Sequence, residues 1–196
     1  ATMPYSISYE EASKLAPQSA TAETIERELP EETPIALVFN GISHAVMLAT
    51  PADLEDFALG FALNEGIVAS RSEMLDIEIV ALNDGVEARV TLTARRFATL
   101  KERRRAMAGP TGCGLCGLES LGDVLRSLPE VGGGFAISAA ALRRALADLP
   151  QHQTLNSATG AVHAAAWIDS HGNIVLLRED VGRHNTLDKL VGALAV

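Results

Sequence analysis

Cysteine is nearly absent from this chain of 196 residues: the two present, Cys113 and Cys116, stand three positions apart. Such a pair cannot build the disulfide framework of a secreted domain, and its scarcity points to a reducing compartment, the cytoplasm. A signal peptide is not expected in the segment before Pro34, which carries Glu10, Glu11, Glu23, Glu26, Glu28, Glu31 and Glu32 and has no long apolar core. Residues 1–33 read instead as an acidic, loosely ordered arm. Long hydrophobic runs are equally scarce. Thr33 to Ala52, free of formal charge apart from His44, is the one stretch long enough to suggest a membrane span, and Asn40-Gly41, Ser43 and Pro51 break it into short strands. No membrane association is expected. Positive charge is outweighed, with sixteen basic against twenty-five acidic residues and a net charge of −9, which disfavours general binding to nucleic acid. Internal repeats are missing, and low complexity is limited to Gly132-Gly133-Gly134.

What the chain does have is a composition 47% hydrophobic, enough for one substantial core without staples. Residues 34–196 are expected to form one domain, with an N-terminal subdomain reaching to about residue 110. Pro34 to Phe39 and Ile42 to Ala49 are apolar runs joined by Asn40-Gly41, the dipeptide that supplies positive φ to a tight hairpin turn. After Asp53, Leu54, Phe57, Ala58, Phe61 and Ala62 recur at helical spacing, with Gly66 placed to end the helix. Alternation on either side of Asn83-Asp84-Gly85 predicts a second hairpin. Ser138 is placed to cap a helix through Leu149 that Pro150 terminates. Val162 to Ile168 and Ile174 to Leu177 flank a turn-rich loop, and Asp180 is placed to cap a last helix running through Leu187 and Leu190. The order of elements is that of a mixed α+β, or α/β, domain.

The cysteines lie in Gly112-Cys113-Gly114-Leu115-Cys116-Gly117. Thiol chemistry needs the thiolate, which nearby cations and a helix N-terminus favour. Both are at hand: Arg95, Arg96, Lys101, Arg103, Arg104 and Arg105 put six of the sixteen cations into eleven residues just upstream, and Leu118 to Leu128 reads as a helix starting just downstream. The flanking glycines leave room for a partner's sulfur to approach. The pair therefore reads as a working thiol site. Two other readings stand beside it: buried cysteines that happen to be close, and a zinc site completed by His152, His163, His171 or His184. A thioredoxin-like dithiol fits poorly, since hairpins precede the motif where a βαβ unit would be needed.

Two further constellations carry chemistry. His163 sits among small residues in the segment from Asn156 to Ala166, where it is either a ligand-facing group or a satisfied core or edge histidine. Glu179-Asp180-Val181-Gly182-Arg183-His184-Asn185-Thr186-Leu187-Asp188-Lys189 gathers carboxylates, a guanidinium, an imidazole and an amide around a helix start. Such a start binds an anion through its N–H groups, with Arg183 adding bidentate contacts. The alternative is a capped helix whose Asp188 and Lys189 are simply solvated. The basic run from Arg95 to Arg105 is either a solvated helix face or a means of steering an anionic cofactor or acidic partner to the thiols.

Together, the cysteine motif, Thr159-Gly160-Ala161-Val162-His163-Ala164-Ala165 and the Glu179 to Lys189 segment resemble the formate dehydrogenase accessory sulfurtransferase family, FdhD. Pro34-Ile35-Ala36-Leu37 and Leu59-Gly60-Phe61-Ala62-Leu63-Asn64-Glu65-Gly66 extend the likeness, which runs from about Pro34 to Gly192. The resemblance implies a cytidine-deaminase-like α/β core with N-terminal β-hairpin elements, and a homodimer. It implies a sulfurtransferase that takes sulfur from a cysteine desulfurase and carries it as a persulfide to bis-molybdopterin guanine dinucleotide, the molybdenum cofactor used by formate dehydrogenase. Cys113 would carry the persulfide, with Cys116 accepting, resolving or relaying it. His163, Asp180, Arg183, His184 and Asn185 are the expected contacts to that cofactor, which passes through as cargo and is not tightly bound; no resident metal is expected. The other class of answer is a module that holds zinc or a nucleotide-bearing cofactor without moving sulfur. Deaminase chemistry is not expected: the cysteines precede the histidine, Thr111-Gly112 stands where Pro is required before Cys113, and Ala165 stands where His-x-Glu needs its Glu. Ala161 occupies a position where the family often has another residue. Members of the family also continue well beyond the motif that ends at Lys189, so a chain stopping at Val196 is expected to be a truncated or shortened member without the segment associated with cofactor binding.

Overall fold

The computed structural model of the chain describes residues 7–15, 22–106, 132–134 and 136–196. Cys113 and Cys116, the Gly109-Pro110-Thr111-Gly112 loop and the expected helix from Leu118 to Leu128 lie outside the described residues.

The central layer is a four-stranded mixed sheet built from β3 (Thr33–Phe39), β4 (Ile42–Ala49), β5 (Met74–Leu82) and β6 (Gly85–Leu92), in the order β4-β3-β6-β5. The outer pairs β3–β4 and β5–β6 are antiparallel hairpins, and the inner pair β3–β6 is parallel. Local chemistry makes the first hairpin: Asn40 and Gly41 adopt φ of 46° and 79°, the left-handed pair of a tight turn whose twist matches the flanking strands. A bulge interrupts the ladder where Leu37 pairs with Ala45 and Val38 with Ser43, leaving His44 as the extra residue. Its imidazole stands edge-on to both Phe39 and Phe61, at centroid distances of 5.6 and 6.0 Å.

Helix α1 (Leu54–Asn64) covers one face of this sheet, burying Phe57, Ala58, Leu59 and Ala62 against Ile35, Leu37, Phe39, Ala88 and Val90. At roughly 25 cal/mol per Å², burial of such aliphatic and aromatic surface is the main favourable contribution to this layer. A single 3₁₀ turn (Arg71–Glu73) leads from α1 into β5, and α2 (Ala94–Ala106) follows β6. Of the basic run, Arg95 and Arg96 are both bound to Glu73, at 2.7 and 2.6 Å, and the Lys101 ammonium lies 4.6 Å from the centre of the Phe97 ring. Those three cations are thus engaged within the chain.

In the second half, α3 (Ala139–His152) starts where the sequence places it, with the Ser138 side chain accepting from Ala141 N at 3.0 Å. It does not stop at Pro150. The proline gives up the N–H that would reach back one turn and its ring crowds the carbonyl there, yet in an exposed last turn the helix continues past both to His152. A short helix, α4 (Thr154–Thr159), then precedes the hairpin of β7 (His163–Ile168) and β8 (Ile174–Asp180), and α5 (Arg183–Leu194) closes the chain. Helix α5 packs on α1 and on both strands of the β7–β8 hairpin, so α1 lies between the large sheet and α5. Where the sequence reads a loosely ordered arm, β1 (Ile7–Leu15) and β2 (Ala22–Pro30) form an antiparallel pair, and β2 runs against α4. The architecture is mixed α/β, as expected. No helix among the described residues is long and apolar enough to cross a membrane.

Candidate functional site

The junction between β8 and α5 holds most of the site residues that the sequence singles out. Strand β8 ends at Asp180, and after Val181-Gly182 the helix begins at Arg183. The Asp180 carboxylate is fully buried and fully used. Its Oδ2 accepts from Thr50 N at 2.9 Å and lies 2.6 Å from Lys189 Nζ, while Oδ1 accepts from Gly182 N at 2.7 Å and from Asn185 Nδ2 at 2.9 Å. Asn185 Nδ2 also donates to Leu48 O at 2.9 Å, which employs both amide hydrogens. Lys189, whose exposure is 0%, donates as well to Thr50 O at 2.9 Å. Burial pushes its ammonium below the ordinary lysine range, against the opposing pull of Asp180.

Asp180 therefore does not cap α5. The N-cap is Gly182, with no side-chain bond, and a Cβ there would meet Asn185 Nδ2 at 2.6 Å. Nor is Lys189 a solvated helix residue, since it enters the interior to meet Asp180. Its partner Thr50 lies in the short connection between β4 and α1, 130 positions before Asp180, and nothing in the sequence around Thr50 signals the pairing. Asp188 is half-buried and accepts from Asn64 Nδ2 at 2.6 Å; burial pushes its carboxyl up, and the Asn64 bond works against that shift.

Arg183 and His184, by contrast, are exposed on the first turn of α5. The opening N–H groups of a helix have no partner within the helix, so this turn presents backbone donors beside a guanidinium and an imidazole. His163 is exposed on β7 directly across from Asp180 in the ladder, which brings it to the same end of the hairpin. The five expected contacts thus divide into an outer set, His163, Arg183 and His184, and an inner set, Asp180 and Asn185.

The approach to His163 is held by Glu179, whose carboxylate accepts from Leu155 N and Asn156 N, each at 2.8 Å, and so caps α4 from the neighbouring strand. Asn156 Oδ1 in turn accepts from Val162 N at 3.4 Å, just before β7 begins. On the other side, Arg178 binds Asp56 of α1 through Nε at 2.9 Å and Nη2 at 2.7 Å, tying β8 to the N-terminal layer. Among the described residues, no three His, Cys, Asp or Glu side chains come together as a metal site. At the start of α5 the exposed side chains are those of a guanidinium and an imidazole, groups whose chemistry favours an anion.

Comparison with known proteins places this arrangement in a wider group. The chain is 57% identical over 164 residues to the sulfur carrier protein FdhD of Variovorax paradoxus, covering 84% of this chain and 59% of that protein. It is 55% identical over 165 residues to the sulfur carrier protein FdhD of Bordetella bronchiseptica, covering 84% and 60% respectively. The chain thus spans about three fifths of the length of these curated relatives. A crystal structure from Desulfotalea psychrophila, described as a formate dehydrogenase accessory protein, superposes with a TM-score of 0.64 over 97% of this chain and 67% of its own, at 19% identity, and so shares the fold. The model of the FdhD/NarQ family matches residues 30–196, a span that takes in the large sheet, the buried Asp180–Lys189 pair and the exposed turn of α5, and the chain belongs to that family.

Proposed function

We propose that this chain is a sulfur carrier that serves formate dehydrogenase maturation. Its relatives named sulfur carrier protein, 50% to 57% identical over most of its length, carry the reading. The thiol chemistry falls to Cys113. Its thiolate attacks the outer sulfur of a persulfide on a cysteine desulfurase, the S–S bond of the donor breaks, and the donor cysteine leaves as thiolate. Cys116 stands close enough in sequence to take the sulfur on or to resolve the persulfide. The acceptor is bis-molybdopterin guanine dinucleotide, a substrate here and not a resident group, whose phosphates suit the N–H groups of α5 together with Arg183, His184 and His163. On this reading the protein is a cytoplasmic sulfurtransferase acting as a homodimer.

Incubation with a cysteine desulfurase and cysteine, followed by mass spectrometry of the Cys113 peptide, tests the reading. An added mass of roughly 32 Da per sulfur, removed by thiol reductant and absent in a Cys113→Ala variant, is the expected result. No adduct on either cysteine would remove the sulfur-carrier reading. Stoichiometric zinc lost in a Cys116→Ser variant, with no adduct, would turn it into a binding module.

A further inference from the structure

Behind the exposed turn of α5 lies a group of side chains that no ligand can reach. Thr50, Asp180 and Lys189 are each 0% exposed. Their bonds converge on the two residues that link β8 to α5: Asp180 Oδ1 takes the N–H of Gly182 at 2.7 Å, and Thr50 Oγ1 takes the N–H of Val181 at 3.2 Å. Lys189 reaches back from deeper in the helix to the same carboxylate and to Thr50 O, at 2.6 and 2.9 Å. The strand end, the link and the helix are therefore all fastened to one residue of the β4–α1 connection.

We infer that the Asp180–Lys189 ion pair, fastened to Thr50, is a positioning device that sets where the first turn of α5 presents its backbone N–H groups, Arg183 and His184 to an anionic group. The inference rests on the anion-binding half of the function proposed above. A buried ion pair adds little net stability, because the cost of desolvating two charges offsets their attraction. What it does supply is direction. Each of the two carboxylate oxygens makes two short contacts, so the carboxylate has one orientation in which all four close, and the link residues follow it. Asp180 and Asn185, expected from the sequence to touch the cofactor, act on it from behind.

Calorimetric titration with guanosine diphosphate, a fragment of the proposed cargo, separates this role from simple stability. Thr50→Val removes the acceptor of the Val181 N–H without touching the ion pair, and the double variant D180N/K189M removes both charges at nearly constant volume. Both are expected to bind guanosine diphosphate about tenfold more weakly at a temperature well below their thermal midpoints. A Leu37→Ala variant, which weakens the sheet core without removing any bond of this group, is expected to bind like the unsubstituted chain. Undiminished affinity in Thr50→Val, or an equal loss in Leu37→Ala, would overturn the positioning role alone. Failure of the unsubstituted chain to bind the nucleotide would instead remove the anion site, and the inference with it. Should the double variant not fold, the Thr50→Val result decides.

Discussion

Gly60 on α1 and Gly192 on α5 meet backbone to backbone: a Cβ on Gly60 would lie 2.8 Å from Gly192 N and 1.7 Å from Asp188 O, and a Cβ on Gly192 would lie 1.9 Å from Asp56 O. The two helices approach so closely because neither residue has a side chain at the crossing. Gly60→Ala or Gly192→Ala must push α5 away from α1, and with it the Lys189 that meets Asp180. Each is expected to cost roughly 3 kcal/mol, read as a lower denaturation midpoint with an unchanged slope. A loss below about 0.5 kcal/mol in both, the range of neutral surface changes, would mean that the crossing is looser than these distances state.

Glu73 accepts from Ala69 N, Arg96 and Arg95, and these bonds, the backbone one foremost, hold its carboxyl down to about 2 from an ordinary 4.5. A carboxyl whose folded value is depressed contributes stability that is fully present above its unfolded value and is lost as pH falls towards the folded one. The window is therefore from about 4.5 down to about 2. Glu73→Gln should lower the thermal midpoint at neutral pH, and the gap to the unsubstituted chain should close as pH falls through that window. A gap that stays constant with pH would assign the loss to packing.

Asp188 shows the opposite sign. Burial raises its carboxyl above the ordinary 3.8, so ionisation weakens the fold at pH values above that point. Asp188→Asn keeps an oxygen to accept from Asn64 and removes the charge. The thermal midpoint should rise at neutral pH, and the gain should shrink as the medium is acidified towards 3.8. A fall at neutral pH would show that the carboxylate has a partner worth more than its burial costs.

Thr33 Oγ1 is buried without a hydrogen-bond partner among the described residues. Thr33→Val replaces the hydroxyl by a methyl of similar shape on a strand, where a β-branched residue fits. A gain of about 1 kcal/mol is expected from chemical denaturation, because an unmade buried bond is removed and no made one is lost. Destabilisation would reveal a bound water at that hydroxyl.

What the sequence reveals depends on how far apart the deciding residues are. Asn40-Gly41 dictates its turn from two adjacent residues, and the apolar period of Leu54, Phe57, Ala58 and Phe61 dictates α1, so both are legible without partners. The junction between β8 and α5 is legible only as a motif. Asp180 and Arg183 look alike there, two charged residues near a helix start, yet Asp180 is turned inward by Thr50 and Lys189 while Arg183 stays exposed. Of those two partners, Thr50 is 130 positions away and leaves no local trace. The same holds for α4, too short for a periodic signal, whose first N–H groups are held by Glu179 from 24 and 23 positions downstream. The β1–β2 pair is obscured by its glutamates, which read as solvated charge unless the pairing is known.

The placement of α1 between the large sheet and α5 has a consequence for synthesis on the ribosome. The four strands and α1 are complete once Leu92 has emerged, and their pairings span short or moderate separations. The outer side of α1, however, waits for a helix whose Gly192 is 132 positions beyond Gly60. Throughout that interval the flank of α1 at Gly60 is uncovered, and the docking of α5 against it also sets the exposed turn in place. Covering of α1 and placement of the turn that carries Arg183 and His184 are thus a single event.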